Sequence, residues 1–263
     1  PSVEKFKMVI KMNAICNCLV TMEDITMAEK IFGLDIVTLK GKSTRTKPEL
    51  IVNNENEVPE ELYTNNRSVE LCIDIMFVNG MLMLTSIDTT VRFGAVIPLK
   101  SHTIEAINCG ESIMIQKYNK AGFIVHKIHC DCEFIGLKEY LNDIEMQPTA
   151  AHVHEPRAER KNRTIKERIR VGYHRLPYKA IPRVMLRYLS LVSTANLNIF
   201  PAKGGISQHY SPHTIMSQKV LEYSKECQVP FGAYVQVNQE NKHTNRNHPR
   251  TLDAIYLRTE KKA

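Results

Sequence analysis

The sequence predicts an α/β fold: a mixed five-stranded sheet whose first three strands are antiparallel, flanked by helices, with small N-terminal helical and C-terminal β appendages. Three observations predict it. In VELCIDIMFVNG, Val69, Leu71, Ile73, Ile75 and Phe77 alternate with Glu70, Cys72, Asp74, Met76 and Val78, and Asn79-Gly80 then gives a strong hairpin signal. Two more strand-like runs, MLMLTSID and VRFGAVIPL, follow before any helical period begins. From Ile104 onward helix and strand patterns alternate, and crossovers of that kind join parallel strands.

Taken in order, residues 1–48 read as a helical segment. Thr21 and Asp24 can cap a helix over MEDITMAEKIF, which Gly33 stops. Residues 49–66 are polar and aperiodic and read as a linker. The core is expected over 67–200. Its three antiparallel strands are followed by a helix capped by Ser101 and stopped by Gly122, with Ile104, Ile107, Ile113 and Ile115 among its apolar positions. FIVHKIHCD then gives a fourth strand ending at Asp131, EFIGLKEYLND a short amphipathic helix, and IEMQPTA a short fifth strand. A long helix runs from His152, and a second covers about 180–198 with Pro182 in its first turn. The stripe of that second helix, Ile181, Val184, Met185, Tyr188, Val192, Ala195 and Ile199, reads as core. Residues 201–263 read as a connecting turn region, where KGGISQHYSP is turn chemistry, and a partial β segment in which FGAYVQVN and TLDAIYLR pair across a polar loop. This element order is that of an RNase H-like fold.

No apolar run approaches the roughly 20 residues that a membrane-spanning helix needs, and the N-terminus lacks the order of a signal peptide. A soluble intracellular protein is the expectation. Seven Cys, an odd number in a chain of 263 residues, are expected to be reduced thiols. No zinc is predicted: Cys16 and Cys18 form a weak C-x-C pattern, and no His precedes His102. Charge is concentrated. Arg157 to Arg187 holds eleven Lys or Arg against two Glu, a local surplus above the +7 of the whole chain. That footprint points to a polyanion partner, although a solvated helix face would look the same.

Asp74 lies mid-strand among apolar residues, where an ionised carboxylate is costly unless it is paired or binds a metal. Asp131 ends the fourth strand, where it reads either as a metal ligand or as a turn cap. Glu159 opens the long helix at the border of its core stripe, Ala158, Ile165 and Ile169, and starts the adjoining stripe of Asn162, Arg163, Lys166 and Arg170. There it reads either as a third ligand or as a salt-bridging surface residue. Three such carboxylates suit hard cations, and two cations suit in-line displacement at phosphorus.

These residues carry a resemblance. LCIDIMFVNG, IHCDCEF and HVHEPRAERKNRTIKERIR resemble the three catalytic motifs of the integrase region of copia-like retrotransposon polyproteins. VTMEDITMAEKIFGLDIVTLKGKSTRTKP resembles the segment before that integrase, and RVMLRYLSLVSTANLNIFPAKGGISQHYSP the helix and turn after it. The resemblance implies that Asp74, Asp131 and Glu159 are the catalytic, metal-binding triad for Mg²⁺ or Mn²⁺, with two ions. It further implies 3′-processing and strand transfer of DNA, and action as a homo-oligomer on element ends and target DNA. Cytoplasmic particles followed by the nucleus are the implied location, with no membrane and no secretion. Arg157, Lys161, Arg163, Lys166 and Arg170 are expected to hold phosphates. A DNA-binding module without catalysis, or a nuclease that cuts without joining, are the other readings.

Overall fold

In the computed structural model the described residues are 3–12, 14, 15, 17–33, 36, 37, 40, 58–149, 155–220, 229–238 and 249–259. Cys16, the first half of the expected linker, the stretch from 150 to 154 that includes His152, and most of the polar loop between the last two strands lie outside them. The chain divides into two units. One is Pro1–Ile51 with Tyr234–Ile255, the other Val52–Ala233 with Tyr256–Ala263.

In the larger unit, β1 (Ser68–Val78), β2 (Met81–Asp88) and β3 (Gly94–Pro98) form an antiparallel meander. The β1–β2 turn uses Asn79 and Gly80, both at positive φ (46° and 74°), which matches the twist of a tight hairpin. β4 (Ile124–Cys130) pairs with β1 in parallel, and β5 (Glu145–Pro148) with β4, giving the order β3-β2-β1-β4-β5. This mixed sheet has RNase H-like topology, as the element order predicts. β1 is central and covered on both faces, so Met76 and Val78 are buried beside Leu71 and Ile73 while Phe77 is exposed. The strict alternation expected for one buried face therefore fails at the end of this strand.

On one face, α4 (Ile104–Lys120) covers a cluster that includes Leu71, Ile73, Ile128 and Phe134. α4 is capped by Thr103, whose side chain accepts from the Ala106 amide, rather than by Ser101, whose hydroxyl faces that of Thr103 at 3.3 Å. Its buried stripe is Ile107, Gly110, Glu111, Met114 and Tyr118; Ile113 is exposed. On the other face, α5 (Pro156–His174) and α6 (Arg183–Leu197) enclose Met76, Met83, Val96, Ile165, Ile169, Leu186 and Leu189.

Two expectations about α6 need correction. Pro182 is its N-cap, one residue before the helix, and the buried stripe is Met185, Leu186, Leu189, Ser190, Ser193 and Thr194, with Val184 exposed. The hydroxyls of Ser190 and Thr194 donate to the carbonyls of Leu186 and Ser190 in the preceding turn, so they enter the core with partners of their own. Three smaller differences remain. Glu60–Asn65 forms a short helix (α3) where a linker is expected, Cys132–Glu139 is a 3₁₀ helix rather than an α-helix, and Pro212–Ser217 forms α7, capped by Ser211, at the end of the expected turn region.

The β2–β3 connection wraps around one carboxylate. Asp88 accepts from the amides of Thr90, Val91, Arg92 and Phe93 and from the Tyr118 hydroxyl at 2.9 Å, which fixes where β3 begins. At that start, the Asn198 side chain pairs with both backbone groups of Gly94, at 2.9 and 2.7 Å.

In the smaller unit, α1 (Val3–Lys11) packs with α2 (Met22–Phe32), joined by Lys7 to Glu29 at 3.6 Å. α2 carries the expected capping box of Thr21 and Asp24. β6 (Tyr234–Asn238) and β7 (Thr251–Ile255) pair antiparallel as expected, and Lys40 meets Asp253 at 3.0 Å. The five described cysteines, Cys18, Cys72, Cys109, Cys130 and Cys132, are free thiols.

Candidate functional site

The parallel pair β1–β4 sets the site. Glu70 lies opposite Lys127 and Cys72 opposite His129, so each strand's next residue but one, Asp74 and Asp131, falls on the same face and at the same level. Asp131 follows the last residue of β4 and is 8% exposed. This is the carboxyl end of the parallel strands, where α/β sheets place their ligands.

α5 lies over both carboxylates. Its stripe Ala158, Asn162, Ile165 and Ile169 faces the sheet. Asn162 donates through Nδ2 to Asp74 Oδ2 at 2.6 Å, while the Ile75 amide donates to Asp74 Oδ1 at 2.7 Å. The amide of Glu155, the N-cap of α5, donates to Asp131 Oδ1 at 3.0 Å. One helix is thus fastened to both aspartates. Asn162 belongs to the core stripe rather than to the adjoining one, which leaves Glu159, Arg163, Lys166 and Arg170 together on one flank.

Glu159 is exposed, and its amide donates to the Glu155 carbonyl within the helix. Among the described residues no three His, Cys, Asp or Glu side chains are grouped to hold a metal ion. Glu155 is half-buried, and its carboxylate reaches the neighbourhood of Cys72. Burial, followed by the Glu155 charge, pushes the Cys72 thiol up to about 12, against the opposing effect of Arg157.

The basic residues divide. Arg157, Arg163 and Arg170 are exposed and Lys166 half-exposed, as a phosphate-holding surface requires. Lys161 differs. It lies on the opposite flank, with its Cε and Nζ filling the space a β-carbon at Gly94 would take. Burial lowers its ammonium to about 8, partly offset by Asp88. This packing argues against placing Lys161 among the phosphate contacts.

Sequence reasoning missed a second cluster on the same face, at the other end of the strands. Val69 pairs with Val125 and Glu70 with Lys127, so His126 is an unpaired bulge residue. The bulge turns His126 to the side of Ser68 and Glu70. Its Nδ1 is 2.7 Å from Ser68 Oγ, and its Nε2 is 3.6 Å from Glu70 Oε1. His129 Nε2 meets Glu70 Oε2 at 2.8 Å, and this hydrogen bond is the main reason the Glu70 carboxyl lies below its ordinary range. The signal available in the sequence was the pair of histidines three apart in a run otherwise spaced as a strand.

No family model matches the chain, and no curated protein matches it in sequence. The likeness is to a solved fold. The catalytic core domain of BIV integrase superposes with a TM-score of 0.40 at 16% identity, covering 57% of this chain and 93% of that one. Strand order and direction define the fold independently of that likeness.

Proposed function

We propose that this chain is an integrase core of the copia-like retrotransposon type, a polynucleotidyl transferase that processes DNA 3′ ends and joins them to target DNA, working as a homo-oligomer. The observation that carries the reading is the level placement of Asp74 and Asp131 beneath a helix whose free flank is basic. Hard carboxylate oxygens on adjacent strands fit Mg²⁺ or Mn²⁺ in donor chemistry, and Glu159 supplies the third acid, with Glu155 the alternative. When bound, two such ions activate the attacking oxygen and stabilise the leaving one. Asn162 keeps Asp74 aimed at the site by holding one of its oxygens. Arg163, Lys166 and Arg170 hold the phosphate backbone along the flank that starts at Glu159, and Arg157 holds it at the helix start. Contacts of that kind are independent of base sequence.

The test uses labelled element-end oligonucleotides with Mg²⁺ or Mn²⁺. Wild type is expected to give joined products and Asp74→Asn none; joining by Asp74→Asn refutes the assignment. A second reading, a DNA-binding module without catalysis, is favoured by the exposed position of Glu159. It predicts that divalent ions leave thermal stability unchanged, whereas an acidic site that binds them is stabilised by about 2.7 kcal/mol at 100 times Kd. Cleavage without joined product would identify a nuclease.

A further inference from the structure

The sheet-facing stripe of α4 holds four residues suited to a core and one that is not. Glu111 is 0% exposed, and no described protein group hydrogen-bonds either of its carboxylate oxygens. Buried polar groups almost always have partners, so this carboxyl calls for a physical account. Its stripe neighbours Ile107 and Met114 belong to the apolar cluster that also holds Phe134 and Leu137.

The ionisable groups facing it supply no positive charge. On its own helix is Tyr118, one of whose smaller perturbations is the Glu111 charge and whose hydroxyl is committed to Asp88 at the end of β2. From β4 comes Cys130, whose thiol burial, Asp131 and Glu111 together push up to about 12. Lys117, also on α4, instead turns its ammonium over the Phe93 ring, 4.4 Å from the centroid. Asp88 has five donors for its carboxylate and Glu111 has none among the described residues. Burial raises the carboxyl of both buried acids on this side of the sheet, but hydrogen bonds oppose the rise at Asp88 and no described group opposes it at Glu111.

We propose that Glu111 is a proton-held latch, by which α4 docks on the sheet beside Cys130 more firmly while this carboxyl carries its proton. Burial raises the Glu111 carboxyl from 4.5 to about 7. A folded-state value above the unfolded one means that the unfolded chain releases this proton first. The stabilisation is complete below about 4.5, declines as pH rises toward 7, and stays constant above that. Because Cys130 directly precedes Asp131, the latch sits under the strand end that carries a proposed catalytic residue. The inference itself requires no catalysis.

The test is equilibrium unfolding of the full chain from pH 5 to 8, comparing wild type with Glu111→Gln. The folding equilibrium of wild type is expected to fall relative to the variant by on the order of 100-fold across that range. Parallel pH curves overturn the proposal. Should Glu111→Gln fail to fold, Glu111→Met, apolar and of similar length, makes the same comparison. Infrared spectroscopy gives a readout independent of folding: wild type at pH 6 is expected to show a protonated-carboxyl band that Glu111→Met lacks, and its absence from wild type also overturns the proposal.

Discussion

Replacing Asn162 by Asp tests the contact on which the site is built. Asn162 is 6% exposed and lies 2.6 Å from Asp74 Oδ2, so a side chain of the same shape brings a second carboxylate to hydrogen-bond range of the first. Two charges about 4 Å apart at an effective dielectric near 20 repel by about 4 kcal/mol. The pair can avoid this by keeping one proton, and holding a carboxyl protonated about three pH units above its ordinary range costs about the same. A loss of about 4 kcal/mol at pH 7 lowers the melting temperature by about 8–16 °C in a unit of this size. The shared proton has a raised folded-state pKa, so the loss should shrink as pH falls from 7 toward 5. Asn162→Leu is the control. It forfeits a hydrogen bond to a carboxylate, about 1.5–3 kcal/mol, with no such pH dependence. Thermal melting of both variants at pH 5 and 7 decides the matter. Equal losses at both pH values would mean that Asn162 does not stand against Asp74 and that the helix is not fastened there. Under the metal reading, Mg²⁺ should recover more stability in Asn162→Asp than in wild type, since the new carboxylate is itself an oxygen donor.

The split of basic residues on α5 predicts a split in salt dependence. Arg163→Ala, Lys166→Ala and Arg170→Ala should each reduce the slope of log affinity for duplex DNA against log salt by about 1, measured by fluorescence anisotropy, while Lys161→Ala leaves the slope unchanged. An equal effect from Lys161 would show that its packing against Gly94 does not persist when DNA is bound. Gly94→Ala probes the same packing directly: its β-carbon would fall on Lys161 Cε and 2.5 Å from Nζ, so the lysine must swing out. The pH midpoint of Lys161 acylation, followed by mass spectrometry, is expected to rise from about 8 toward the ordinary lysine range. An unmoved midpoint would mean that Gly94 is not what seats the lysine.

The local elements were legible because their patterns were short-range: alternation from Val69 to Ile73 in β1, Asn79-Gly80 at the turn, and the Thr21–Asp24 helix cap all depend on residues within four positions. The sheet-facing residues Ala158, Ile165 and Ile169 were legible from helical spacing. What the pattern concealed was polar burial. Asn162 is inside because it bonds Asp74, 88 residues away in sequence, and nothing in the local sequence marks Glu111 as buried. The serine and threonine of the α6 core stripe misled for the converse reason, since their partners lie one turn back in the same helix. The bulge at His126 depends on the pairing of two distant strands, and strand register cannot be read from either strand alone.

That bulge also divides β4 into two parts of unequal tolerance. Side chains alternate along a strand, so the face on which Asp131 emerges is decided by counting residues from the Glu70–Lys127 pair, and the count is even: Lys127, His129, Asp131. Before Lys127 the strand already carries a residue too many, and losing it would restore a regular ladder without changing that parity. After Lys127 a single insertion or deletion would send the aspartate to the α4 side of the sheet, away from Asp74. Four residues of β4 and the one that follows them therefore have a fixed length, whereas the stretch that leads into them does not.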